Sequence, residues 1–225
     1  MTNGQFPQDL IVLVADKNME FAVKGILSRF QSVQMREVSP VFHVHPEHDP
    51  GCLLRGHAFL KLFVNRFAHA LILLDREGSG QERTVREVLE AEIEARLSQS
   101  GWGNRAAAIV IDPELEMWVW SDSPQIDSVL GWENKNPALR HWLQHNGLLQ
   151  VGQVKPGRPK EALERALRTA RKPRSSSLYL QIAQKVNLVR CVDPSFVKLK
   201  AVLQEWFPPV EQGDDCDPGA AERFR

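Results

Sequence analysis

The chain has 225 residues, and its 28 Lys plus Arg offset its 28 Asp plus Glu. That length accommodates one α/β domain, or one domain with a helical extension, and the charge balance excludes a global basic field toward nucleic acid, so any phosphate-binding surface has to be local. Cys52, Cys191 and Cys216 are widely spaced and form no CxxC pair, which suits a reducing cytoplasm better than a disulfide framework. With no basic leader and no apolar stretch near the roughly 20 residues of a membrane span, the expectation is a cytoplasmic protein without membrane contact.

In chain order, residues 10–15 are a short continuous apolar run, the signature of a buried parallel strand, and Phe21, Val23, Ile26, Leu27 and Phe30 then recur at helical spacing. Asp16 or Asn18 is available to cap that helix. Residues 33–38 and 41–44, interrupted by Pro40, predict a second strand or a bent pair near the sheet edge. The prolines and glycine of residues 45–52 predict a loop, and Ala58, Leu60, Leu62, Phe63 and Phe67 a second helix. Residues 70–74 read as a strand broken by Gly78 and Gly80, residues 84–97 as a helix, and residues 106–111 as a further strand. The alternation predicts an α/β fold with a mostly parallel sheet flanked by helices and joined by right-handed crossovers.

Beyond Glu116 the pattern is helical, over residues 126–130, 138–144, 160–171, 178–186 and 196–206. The expected division is an α/β metal-binding domain over residues 1–120, a helical C-terminal part over 121–208 packed on it, and a disordered tail over 209–225.

Acids stand wherever an apolar run stops: Asp16 and Glu20 after the first, Asp75 and Glu77 after that of residues 70–74, and Asp112, Glu114 and Glu116 after that of residues 106–111. Ligands of parallel α/β sheets bind at the carboxyl ends of the strands. Carboxylates converging there repel one another and raise each other's pKa, whereas a divalent cation makes the cluster favourable. Hard oxygen donors point to Mg²⁺ or Mn²⁺, with Asp16, Asp75, Glu77 and Glu116 as metal ligands. Taken singly, each acid is also an ordinary loop residue.

His43, His45, His48, Cys52 and His57 match no usual zinc spacing, and a structural segment is expected there, from which His48 and Asp49 could approach the site. The tryptophans are expected in the core, with Trp118 and Trp120 walling the site. Residues 155–174 are rich in Lys and Arg. Lys155 and Lys160 lie in a proline-framed loop opening a helix, a ready phosphate site, although such runs are also solvated helix faces.

The order of the acids resembles the Toprim fold of topoisomerases, primases and overcoming-lysogenization-type nucleases. Asp16-Lys-Asn-Met-Glu20 stands where that family carries its first acidic motif, with Asp16 in place of the usual Glu; Asp75-Arg76-Glu77 stands for its Asp-x-Asp, with Glu77 one methylene longer than the usual aspartate. Glu116-Met-Trp118-Val-Trp120 resembles the later acidic segment of the Toprim-like component of methylation-associated bacterial defence systems. The resemblance covers residues 9–120 and implies a Mg²⁺-dependent nuclease-like component of an anti-phage defence system. Asp16, Glu20, Asp75, Glu77 and Glu116 would be its catalytic acids and Lys160 its phosphate-facing cation. Nucleic acid, DNA before RNA, and other defence proteins would be its partners. The alternative is a non-catalytic metal- or nucleotide-binding scaffold subunit of a defence complex.

Overall fold

The computed structural model describes residues 6–120, 123–188 and 191–209, so the tail expected over 209–225 lies, apart from Pro209, outside the described residues. Strands β1 (Gln8–Val14), β2 (Val41–Val44), β3 (Phe67–Asp75) and β4 (Ala106–Ile111) form a four-stranded sheet in the order β2-β1-β3-β4. Every pairing is parallel: Val14 faces Val44 and Leu73, and Asp75 faces Ile111. All carboxyl ends therefore share one edge. Residues 10–14 and 70–74 are fully buried, as continuous apolar runs require when helices cover both faces of a sheet.

Among the described residues the α-helices are α1 (Lys17–Leu27), α2 (Phe30–Val33), α3 (His48–Lys61), α4 (Arg86–Leu97), α5 (Glu116–Val119), α6 (Gln125–Val129), α7 (Leu139–His145), α8 (Pro159–Ala170), α9 (Ser176–Lys185) and α10 (Pro194–Trp206). From β1 the chain crosses outward to β2, and from β3 it crosses the other way to β4. Right-handed crossovers in opposite directions place α1 and the α3–α4 pair on opposite faces. The crevice between the carboxyl ends of β1 and β3 is thus the topological switch point, where open α/β sheets bind ligands.

Three local expectations are corrected. Residues 33–38 contain no strand: α2 ends at Val33, Gln34 takes a left-handed φ of 65°, and only Val41–Val44 joins the sheet, at its edge. The segment 45–52 is not a loop throughout, because α3 begins at His48; it ends at Lys61, so Phe67 opens β3 instead of lying on that helix. Pro50 falls in the first turn of α3, where a missing N–H costs nothing, and Gly51 is required because a Cβ there would stand 2.0 Å from His45 Nδ1.

β4 is an edge strand whose outward amides need acceptors. Glu90 accepts from Val110 N at 3.0 Å and Glu94 from Ala108 N at 3.0 Å, one turn apart on α4. Lys198 of α10 bridges both carboxylates, at 3.1 and 2.7 Å, and Arg86 adds a contact to Glu90. This carboxylate ladder closes the edge and fastens α10 to it.

The helical half covers the sheet through α9, which lies on α1. The approach is close because residue 25 is glycine: a Cβ there would meet Ala183 Cβ at 2.6 Å and Leu180 O at 2.9 Å. Tryptophan N–H groups tie the remaining helices together. Trp118 Nε1 donates to Ser195 Oγ at 2.9 Å, Trp120 Nε1 to Pro159 O at 2.9 Å, and Trp132 Nε1 to Ala166 O at 3.3 Å. Among the described residues no helix is long and apolar enough to cross a membrane.

Candidate functional site

Asp16 follows β1 and caps α1, its Oδ1 accepting from Met19 N at 2.8 Å. Across the switch point Asp75 ends β3. Part of Asp75 remains accessible, but its Oδ1 is shut off from solvent and has no hydrogen-bond partner. Its backbone N–H is held by Asp49 Oδ1 at 2.7 Å. Asp49 arrives on the first turn of α3, which is latched to the end of β1 by His45 N donating to Val14 O at 2.9 Å and by His48 Nδ1 at 3.0 Å from Ala15 O.

Past β4 the chain brings Glu114 and then Glu116 of α5, 6% and 2% exposed. Glu114 Oε1 accepts from Lys160 N at 2.9 Å, and Lys160 Nζ lies 3.8 Å from its Oε2. Glu114 therefore occupies the N-terminus of α8, whose entry is also pinned by Trp120 on Pro159 O. Glu116 Oε1 accepts from Arg174 Nη2 at 2.7 Å and from the Tyr179 hydroxyl. Burial, the Glu116 carboxylate and the hydrogen bond to it push the Tyr179 hydroxyl far up, so it serves as a donor.

Five acids from four chain segments therefore share one electrostatic neighbourhood. Burial, followed by the charges of Asp49, Glu116, Asp16 and Glu114, pushes the Asp75 carboxyl well above its ordinary range. Asp49 is raised by burial and by Asp16, against the opposing hydrogen bond from Asp75 N–H. Glu114 is raised by burial and by Glu116, with Glu77 adding to it and Lys160 opposing it.

Among the sequence-derived candidates, the structure thus gathers Asp16, Asp75 and Glu116 and sets Lys160 beside them. Glu77 reaches the group through Glu114, and its backbone N–H donates to Pro113 O at 2.9 Å. Glu20 is turned elsewhere, against Lys17 at 2.8 Å and Lys24 at 2.5 Å. Burial opposes its ionisation, but these two hydrogen bonds outweigh burial and hold its carboxyl below the ordinary value. Asp112 pairs with Arg76 at 2.8 Å. Lys155 is committed to Asp193 at 3.1 Å, and Arg158 to Glu161 at 2.9 Å.

Asp49, Glu114 and Arg174 are the members that motif reading did not assign to the site. The only sequence signals for them were the position of Asp49 just after a strand and of Glu114 between two strand-end acids. Nothing local marks Arg174, which meets Glu116 across 58 positions.

The histidines take separate places. His43 lies against Phe59 and Phe63, with ring centroids 5.3 Å away in each case, and His45 Nδ1 accepts from Glu47 N at 3.1 Å. The Cys52 thiol is buried and its pKa pushed up by burial and by Asp49.

Among the described residues no group of three or more His, Cys, Asp or Glu side chains stands ready-made to hold a metal ion. The acid group fits a hard divalent cation in two respects: its donors are carboxylate oxygens, and Asp75 offers a buried oxygen without a partner. Compared with known proteins, the chain matches no family model, no curated protein and no solved structure.

Proposed function

We propose that this chain is a Mg²⁺- or Mn²⁺-dependent phosphodiesterase acting on nucleic acid, DNA before RNA, as a component of bacterial anti-phage defence. The observation that carries the chemical part is the orphaned Asp75 Oδ1 at the switch point of the sheet, on a carboxyl that feels the charges of four further acids. A buried carboxylate without a partner is costly, and in that company a cation is the partner that removes the cost. The Toprim resemblance of residues 9–120 supports the phosphodiester class and the defence context.

Asp75 and Glu116 would hold the ion, with Asp16, Asp49 and Glu114 in the same electrostatic neighbourhood and Glu77 acting on it through Glu114. When bound, it supplies positive charge that polarises a phosphodiester and acidifies water. The chain's own residues do the rest. Both hydrogen bonds to Glu116 fall on Oε1, so Arg174 and Tyr179 fix that carboxylate with Oε2 left for a ligand. The Lys160 ammonium, on a side chain 49% exposed, would meet the charge of a scissile phosphate beside Glu114.

A scaffold subunit is the second reading. It is favoured by the extent to which the basic segment is spent internally, with Lys155 on Asp193, Arg158 on Glu161 and Lys172 on Val129 O. One experiment separates the two. The purified protein is incubated with plasmid, single-stranded DNA and RNA, with and without Mg²⁺ or Mn²⁺, beside Asp75→Ala. Metal-dependent cleavage lost in the variant supports the enzyme, and no cleavage under any condition supports the scaffold.

A further inference from the structure

Arg174 is the side chain whose geometry exceeds a structural role. Its side chain is 30% exposed, and its guanidinium divides its donors in three directions: Nε to the Tyr179 hydroxyl at 2.9 Å, Nη2 to Glu116 Oε1 at 2.7 Å, and Nη1 to Glu164 Oε1 at 2.9 Å. The first two partners are buried at 2% exposure each, whereas Glu164 is 44% exposed. The anchored side of the fork is therefore worth far more than the open side, because exposed ion pairs contribute little while charge-assisted bonds to buried acceptors are strong. Glu164 stands one turn beyond Lys160 on α8, about 6 Å along its axis. The open arm of Arg174 thus lies on the same side of the acids as Lys160.

We propose that Arg174 is a second phosphate-binding residue of this site, and that Glu164 is its resting counter-ion, exchanged for a backbone phosphate when nucleic acid binds. Nε and Nη2 stay on Tyr179 and Glu116 through the exchange, so the guanidinium couples the acid group to the substrate without moving. A planar fork suits phosphate oxygens in a way that an ammonium does not. Two cations on the same side of the acids, Lys160 and the Arg174 arm held beside Glu164, select a polynucleotide backbone over a single phosphate. This rests on the nucleic-acid reading above.

The test is the affinity of a fluorescein-labelled oligodeoxythymidylate, measured by anisotropy in Ca²⁺ over a range of salt, with Mn²⁺ binding and melting temperature measured in parallel. Arg174→Gln is expected to weaken the oligonucleotide about tenfold or more and lower the salt slope by about one, with Mn²⁺ binding weakened far less because Tyr179 still holds Glu116. Arg174→Lys, which keeps the charge and guards against a folding failure, is expected to fall between. Glu164→Gln should bind more tightly than wild type, and that gain should vanish in the Arg174→Gln background, since the two residues act as one pair. Unchanged affinity and slope in Arg174→Gln overturn the inference while leaving the metal-site reading intact. Joint loss of Mn²⁺ and oligonucleotide binding in Arg174→Gln also overturns it, showing that the residue only positions Glu116. Wild-type protein that binds Mn²⁺ but no oligonucleotide refutes the nucleic-acid reading and this inference together, whereas absent Mn²⁺ binding refutes the metal site alone.

Discussion

Replacing Asp75 by Asn tests whether the acid group is stressed when no cation is bound. The substitution keeps shape and leaves the 2.7 Å bond from its backbone N–H to Asp49 intact, while removing the charge that burial, Asp49, Glu116, Asp16 and Glu114 all oppose. The amide that replaces it is also unpaired, so the gain is only the difference between an unpaired buried charge and an unpaired neutral group, roughly 1–3 kcal/mol. Asp75→Asn should recover about that much, which for a chain of this size is a rise of about 2–12 °C in melting temperature. The gain has a definite pH dependence. A carboxyl raised in the folded state contributes stability below its unfolded value, near 3.9, and loses it as pH rises through the folded value. The advantage of the variant is therefore small in acid and grows upward until it levels off. Added Mn²⁺ reverses the order, because an ion that binds only the folded acids stabilises wild type by mass action. The assay is thermal melting from acid to mildly alkaline pH in EDTA and in Mn²⁺. A variant that melts lower than wild type in EDTA at every pH refutes the reasoning, and so does an equal response of the two proteins to Mn²⁺.

Glu90→Ala removes the acceptor of Val110 N–H and a partner of both Arg86 and Lys198, and should cost about 3 kcal/mol in urea unfolding; a loss under about 1 kcal/mol would show that Glu94 alone closes the edge. Gly25→Ala should destabilise by about 1–3 kcal/mol despite alanine's better helix propensity, because its Cβ meets Ala183 Cβ at 2.6 Å; a neutral or raised melting temperature would mean that α9 shifts freely. Asp193→Asn should cost about 3 kcal/mol at neutral pH, since burial is outweighed by the Ser195 and Lys155 contacts that hold this carboxyl low. That contribution is present above the unfolded value and fades as pH falls through the folded one, so the gap to wild type should close in acid. A gap independent of pH would contradict it.

Much of the fold was legible in local pattern. The buried runs are strands, and the helix expected over residues 160–171 is found at Pro159–Ala170, because an amphipathic stripe of that length has few competing solutions. The misses lie where proline has two meanings. Pro50 was read as a loop marker but stands in the first turn of α3, and Val33 ends α2 rather than opening a strand toward Pro40. Strand order was not legible, since alternation of strands and helices is compatible with several parallel arrangements; the order β2-β1-β3-β4 is what makes residues 16 and 75 face one crevice.

The site divides in the same way. An acid at a strand end is legible because topology alone carries it to the ligand-binding edge, and Asp16 and Asp75 arrive there regardless of side-chain detail. Asp49 arrives only because α3 begins early enough to place its first turn over the end of β3. The cations were the least legible part. Composition counts Lys155, Lys160 and Arg174 alike, yet the fold spends Lys155 on Asp193, sets Lys160 beside Glu114, and gives Arg174 two buried anchors and one exposed partner. What decides whether a basic residue can meet a phosphate is its own exposure together with the depth and closeness of the acid it already holds, so Lys160, 49% exposed and 3.8 Å from Glu114, keeps a free face. A lysine paired with a carboxylate 4% exposed stays where it is, and a guanidinium facing one 44% exposed has an arm to offer.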